Sequence, residues 1–301
     1  MQKKVKKFLF GVLILASHLQ GAPLNVEVKA EAAILMNGHT GVILYEKEAH
    51  QRNHPASTTK IATAIFALLT AGDKMHEMIA ADQDSVAWVS VKDKKQSNYT
   101  LPAHWLEPGY SNIGLKKGEI LSLQDLLYGL MLASGDDAAN VIAKFIGGNV
   151  DQFMQGVNDY LKSFGCHNTH FTNPHGLYHP DHYTTAYDLA LMTKEALKNK
   201  QFLELVKTVR YTRPKTNMQE ASVWVQTNAL LKPGKYFYPY ALGIKTGYIQ
   251  VAQNTFVAAA EKDNRLLIAV LLKTKKGEIC FWMLLSSLKQ LLRKSSWNKP
   301  C

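Results

Sequence analysis

The sequence predicts a mixed α/β (α+β) protein in which both ends of the chain build one antiparallel sheet and a helical subdomain is inserted between them. Three observations carry this. Short apolar runs flank turn-forming residues at 32–45 and again at 255–272, the pattern of a hairpin near each end. Between them, from about residue 60 to 198, apolar residues recur mostly at helical spacing. No internal repeat or low-complexity linker divides the chain. Its 301 residues, 47% hydrophobic and 20% charged, are therefore expected to form one domain of two intimate subdomains. The sheet subdomain is expected over about 23–62 and 203–301, and the helical one over about 63–202.

At the start, Lys3, Lys4, Lys6 and Lys7 precede an apolar run over 8–16, and small and polar residues follow to Ala22. This reads as a signal peptide over 1–22, cut near Gly21 or Ala22, with the mature domain at 23–301. The run is shorter than the ~20 apolar residues a membrane span needs, and no cysteine follows it to carry a lipid. The expected location is the periplasm or cell envelope. Losing those four lysines lowers the formal net charge of +11 by four, and the remaining basic residues are scattered. No tract of the kind nucleic-acid binders use is present, so the basic surface implies solubility and attraction to anionic envelope polymers. Cys166, Cys280 and Cys301 have no metal-ligand spacing and cannot all pair with one another.

The mature chain opens on strands at 32–36 and 41–45 around Asn37-Gly38. Next comes a helix headed by Ser57, with Ile61, Ala64, Ile65, Leu68 and Leu69 at helical spacing, ending near Gly72. Residues 73–110 are mixed and polar and give no clear element. Ser122 and Asp125 are placed to cap a helix running to about Leu132, and Ser134-Gly135-Asp136-Asp137 breaks it before a new helix over 138–146. Helical patterns follow over 150–164 and 184–198, separated by the turn-rich segment Phe171-Thr172-Asn173-Pro174-His175-Gly176-Leu177. Strand character then appears at 209–212, 221–227 and 243–248, before the second hairpin at 255–260 and 266–272. An apolar helix over 279–292 closes the chain and is expected to pack on the sheet; binding to a membrane surface is open to it but not required.

Ser57 and Lys60 lie one turn apart on the same stripe of an apolar helix, so a hydroxyl and an amine are carried together towards the interior. A serine hydroxyl is a weak nucleophile until a base activates it, and a buried lysine, its pKa lowered by desolvation, is such a base. Lys245-Thr246-Gly247 on a strand would bring a second cation that lowers it further, a hydroxyl, and a glycine that lets a substrate backbone approach. Ser134, on the helix break, completes the set as a proton relay. The backbone N–H groups of Ser57 and Tyr248 would form an oxyanion hole. This chemistry is acyl transfer, and it calls for no metal and no cofactor.

In this order, Ser57-x-x-Lys60, Ser134-x-Asp136 and Lys245-Thr246-Gly247 resemble the motifs of the serine penicillin-recognising enzymes. The chain is most similar to the D-alanyl-D-alanine carboxypeptidases among the low-molecular-weight penicillin-binding proteins. That likeness rests also on Asn173-Pro174-His175-Gly176-Leu177 and on His182-Tyr183-Thr184-Thr185-Ala186-Tyr187-Asp188-Leu189-Ala190. The resemblance implies a β-lactamase/transpeptidase-like fold and an acyl-enzyme formed on Ser57 by peptidoglycan stem peptides ending in D-Ala-D-Ala, and by β-lactam antibiotics. It implies Lys60 as the base, Ser134 as the relay, and Lys245 and Thr246 as holders of the terminal carboxylate. The all-β second domain and amphipathic tail of many relatives are not expected here.

Two departures stand out. Position 136, in the substrate-binding middle motif, is asparagine in the family but aspartate here, which when ionised only accepts hydrogen bonds and would favour a charged Lys60. After the third motif, Ile249, Ala252 and Gln253 replace the family's threonine and Ala-Gly pair. A DD-endopeptidase, a low-turnover penicillin-binding sensor and a β-lactamase remain alternatives, although Glu195 and Asn199 sit on a helical pattern rather than in a catalytic loop. His175 reads as a residue that fixes its loop, and Tyr128, Tyr187 and Trp224 as core aromatics.

Overall fold

The computed structural model describes residues 28–275. The predicted signal peptide, the predicted helix at 279–292, Cys280 and Cys301 lie outside the described residues. Strands β1 (Ala30–Asn37) and β2 (Ile43–Lys47) form the first hairpin, with Leu35 opposite Tyr45. Its turn is held by Asn37, whose side-chain oxygen accepts from the N–H groups of His39 and Thr40, each at 3.0 Å. Strands β8 (Gln253–Lys262) and β9 (Arg265–Thr274) form the second. β9 also pairs with β1, Ile34 against Val270, so the two ends of the chain share one sheet. β7 (Ala241–Ile249) completes the five-stranded order β2-β1-β9-β8-β7, and every pairing is antiparallel.

Alternation sorts the side chains of this sheet to two faces. Ile34, Met36, Val257, Ile268 and Val270 meet the helices, while Leu35, Phe256, Ala258, Leu267 and Leu271 join a second cluster on the opposite face. With both faces covered, β1 and β9 read as nearly continuous apolar runs.

The helical layer surrounds α1 (Lys60–Ala71), whose Ile61, Ala62, Ala64, Ile65 and Ala67 are all buried. A helix apolar on nearly every side is a central helix, and α1 touches α3 (Leu123–Leu132), α4 (Asp136–Gly147), α5 (Val150–Ser163), α6 (Ala186–Ala196) and α7 (Lys200–Lys207). The Ser122–Asp125 capping box is present at α3. Cys166 is buried, with its thiol directed at the Asp188 carbonyl.

Several local expectations are corrected. Ser57 is not within the α-helix but on a 3₁₀ turn, Ala56–Thr59, that leads into it. α4 begins at Asp136 rather than 138, because two carboxylates in a first turn are favoured by the helix dipole. The short helix α7 appears where the sequence showed only a change of character, with Asn199 as its N-cap. Strands β5 (Arg210–Arg213) and β6 (Ser222–Val225) pair only with each other, as do β3 (Met78–Ala80) and β4 (Ile120–Ser122), outside the main sheet. The segment that gave no clear element carries α2 (Val91–Gln96). There a buried Lys94–Glu107 ion pair at 2.8 Å organises the chain, and Lys94 also donates to the Trp105 carbonyl.

Candidate active site

The 3₁₀ turn that carries Ser57 is bent by Ala56, whose φ of 51° lies in the left-handed region that costs a residue with a Cβ. The strain is held in place from three sides. Thr58 and Thr59 hydroxyls donate back to the carbonyls of Pro55 and Ala56, and Thr255 of β8 donates to Pro55 at 2.8 Å. His182 meets the Thr59 hydroxyl at 2.9 Å. Gly176 packs its bare Cα against the turn, and at its φ of 97° an added Cβ would collide with the Ala56 carbonyl and lie 2.9 Å from Thr59 Oγ1. Gly176→Ala is therefore expected to destabilise the protein by about 3 kcal/mol or more. Fluorescent-penicillin labelling of Ser57 should also slow; a denaturant midpoint within error of the parent would refute this.

One helical turn on, the Lys60 ammonium is fully buried with an acceptor for each of its three protons. It donates to Ser57 Oγ at 2.9 Å, to Asp136 Oδ1 at 2.6 Å and to the His175 carbonyl at 2.9 Å. Burial pulls the Lys60 pKa down, and the Asp136 carboxylate opposes this by favouring the charged form. The same burial pushes Asp136 up to about 6 despite its cationic neighbour. Lys245, the expected second cation, is itself held well below its ordinary value, by burial first and by Lys60 second.

Ser134 is also in the left-handed region, with φ of 63°, at the junction of α3 and α4. Its hydroxyl accepts from Lys245 Nζ at 3.0 Å, and Lys245 donates as well to the Thr246 carbonyl. Gly135 is required between the two motif residues, since a Cβ there would lie 2.9 Å from Ile113 and 3.0 Å from Asp137. Asp137, next along, turns away from the cleft and straps the loop before β4: its carboxylate accepts from the N–H groups of Ile113 and Leu115. The Asp136 N–H donates to the Ser111 carbonyl of the same loop.

Lys245 lies on β7 between two glycines on the same face. Gly243 lets α7 approach, and Gly247 lets β7 run against the nucleophile turn, since a Cβ at 247 would lie 2.8 Å from Ser57 N. Gly247 thus serves the contact between strand and turn, a reason the sequence did not reveal. Ser57, Ser134, Thr246, Gly247 and Tyr248 line one open cleft of about 450 Å³. Lys60, Asp136 and Lys245 lie buried beneath it. Every site residue named from the sequence is therefore in or under this cleft.

The other assignments separate cleanly. His175 Nδ1 accepts from Leu177 N and its Nε2 donates to the His104 carbonyl, and burial holds the ring well below its usual pKa, so it is a neutral fastener of its loop. Glu195 pairs with Lys198, and Asn199 caps α7, both outside the cleft. Tyr128 stacks on Tyr211 and packs, with Tyr187 and Trp224, against the core. Ile249 and Ala252 join Ala56 and Leu177 in a small apolar cluster behind the nucleophile turn. Sequence reasoning missed Tyr110, Ser111 and Thr227, which line the cleft, and the His175 carbonyl, which holds Lys60. The motif around His175 was legible; that its backbone would serve the lysine was not. Among the described residues, no group of His, Cys, Asp and Glu side chains could hold a metal ion.

Comparison with known proteins points the same way. The sequence profile described as D-alanyl-D-alanine carboxypeptidase matches residues 18–276. The chain is 36% identical over 244 residues to the D-alanyl-D-alanine carboxypeptidase DacF of Bacillus subtilis, covering 80% of this chain and 57% of that relative. To the D-alanyl-D-alanine carboxypeptidase of Streptomyces sp. strain K15 it is 31% identical over 277 residues, covering 87% of this chain and 88% of the relative. The crystal structure of the Streptomyces K15 DD-transpeptidase superposes with a TM-score of 0.72 at 29% identity, covering 88% of this chain and 96% of that one. With a profile match through all three motifs and a solved relative that shares the fold, the chain belongs to the D-alanyl-D-alanine carboxypeptidase family.

Proposed function

We propose that the protein is a serine-type carboxypeptidase that removes the terminal D-alanine from peptidoglycan stem peptides ending in D-Ala-D-Ala, and that β-lactams acylate the same serine. The observation that carries this is the 2.9 Å hydrogen bond between Lys60 Nζ and Ser57 Oγ at the floor of an open cleft, with the Lys245–Ser134 pair in the same cleft.

In this reading Ser57 Oγ attacks the carbonyl of the penultimate D-alanine while a neutral Lys60 takes its proton. The oxyanion is met by the N–H groups of Ser57 and Tyr248. Collapse breaks the amide bond, and Ser134 passes a proton to the amine of the departing D-alanine, backed by Lys245. Water then cleaves the acyl-enzyme. Thr246 receives the free carboxylate of the substrate, with Lys245 beneath it. The reading carries export with it: residues 1–22 act as a signal peptide and the mature protein works in the cell envelope.

Incubation with a diacetylated tripeptide ending in D-Ala-D-Ala tests the proposal. Free D-alanine is expected from the parent and none from Ser57→Ala, together with fluorescent-penicillin labelling lost in the variant. A second reading, a penicillin-binding protein that acylates and barely turns over, is favoured by the 2.6 Å Lys60–Asp136 contact, which stabilises the charged lysine. Labelling of Ser57 without D-alanine release would select it.

A further inference from the structure

The cleft would receive an anionic peptide end, yet none of the residues lining it is ionised. Its surface is made of hydroxyls, amides and apolar groups, and the two lysines lie wholly beneath it. The negative end of a substrate must therefore be met first by hydroxyl donors.

One pair of hydroxyls is already assembled. Thr227 Oγ1 lies 2.9 Å from Thr246 Oγ1, and both residues line the cleft. Thr227 is exposed, but its backbone is not loose. It lies just beyond β6, between Gln226 and Asn228, both fully buried. Gln226 N donates to the Val209 carbonyl, Gln226 Oε1 accepts from Thr227 N at 3.0 Å, and Asn228 Oδ1 accepts from Leu230 N. The segment is anchored on both sides, so the Thr227 hydroxyl is presented at a fixed place.

We propose that Thr227 is a specificity-determining residue whose hydroxyl acts with that of Thr246 as a two-donor clamp on the substrate's terminal carboxylate. Each threonine hydroxyl has one proton to give. One of these protons serves the bond between the two threonines. A carboxylate, with two oxygens, lets the pair exchange its mutual bond for two charge-assisted ones. A terminal carboxamide offers one uncharged acceptor oxygen and does not bring the same gain.

This clamp rests on the carboxypeptidase reading for its substrate, and the test separates the two. The acid and the C-terminal amide of the diacetylated peptide are titrated calorimetrically into the Ser57→Ala protein, where no chemistry intervenes, with and without Thr227→Val. The parent background is expected to prefer the acid, and Thr227→Val to reduce that preference about 10-fold. Thr227→Ser, which keeps the donor, should restore it. An acid-to-amide ratio within about twofold of the parent in Thr227→Val overturns the clamp. If the intact protein releases no D-alanine while its Ser57→Ala form keeps a Thr227-dependent acid preference, the carboxypeptidase reading falls and the clamp stands.

Discussion

Replacing Lys60 with methionine is expected to slow acylation of Ser57 by roughly 10²–10⁴-fold, the span a positioned general base contributes. Methionine fills the side chain's path as far as Cε and removes both the proton acceptor and the charge. It also leaves Asp136 buried without its partner, and breaking a buried ion pair from one side costs about 3–5 kcal/mol. Both effects belong to the same substitution, so they must be separated. The double variant Lys60→Met/Asp136→Asn removes the stranded carboxylate and should recover most of the stability. Acylation should stay as slow as in the single variant. Denaturant midpoints and penicillin-labelling rates measure the two quantities. A single variant that labels within tenfold of the parent would rule Lys60 out as the base.

Changing Asp136 alone to asparagine is expected to act in the opposite sense and accelerate acylation near neutral pH. The Asp136 carboxylate raises the pKa of Lys60, both by its charge and by its hydrogen bond. Without it, only the Asp137 charge opposes burial, and the Lys60 pKa falls further. The neutral fraction at a given pH then grows, and the limb of the pH–rate profile that rises with Lys60 deprotonation moves to lower pH. One unit of displacement amounts to about a tenfold gain on that limb. In the parent, Asp136 itself protonates around pH 6, and below that value its hold on Lys60 is released. The two groups are close enough to titrate as a pair, so the profile belongs to the pair. Second-order labelling rates between pH 5 and 9 decide the matter. A slower or unchanged variant would mean that the aspartate is adapted to this site.

The site was legible in the sequence because its parts are local. Ser57 and Lys60 are one turn apart, Ser134 sits at a break between two apolar helices, and Lys245 lies on a strand that recurs every second residue. Both hairpins and the Ser122 cap were legible for the same reason. What escaped was fixed by distant partners. Three-residue strands such as β3 and β4 are too short to show a period, and they exist because each pairs with the other across some forty residues of sequence. The segment between them is ordered by one buried ion pair, Lys94 with Glu107, which resembles surface charge until the fold is known. α7 has only two turns to display an apolar face. At the site, a backbone carbonyl holds Lys60, and no side-chain motif can announce a carbonyl.

The two glycines that flank Lys245 have a mechanical consequence. With no side chain at 247, β7 closes onto Ser57 N and the Thr255 hydroxyl, and at Gly243 it closes onto the carbonyl and Cβ of Val206 in α7. Contacts this close leave little room for either element to shift. The separation between the serine and the strand is thus set by close contact across a bare glycine, and this wall of the cleft behaves as a stiff fixture. Adaptation to different peptides is left to groups that rotate on it, such as the exposed Tyr248. Little of the binding free energy then goes into arranging the nucleophile, because folding has already set its distance from the strand.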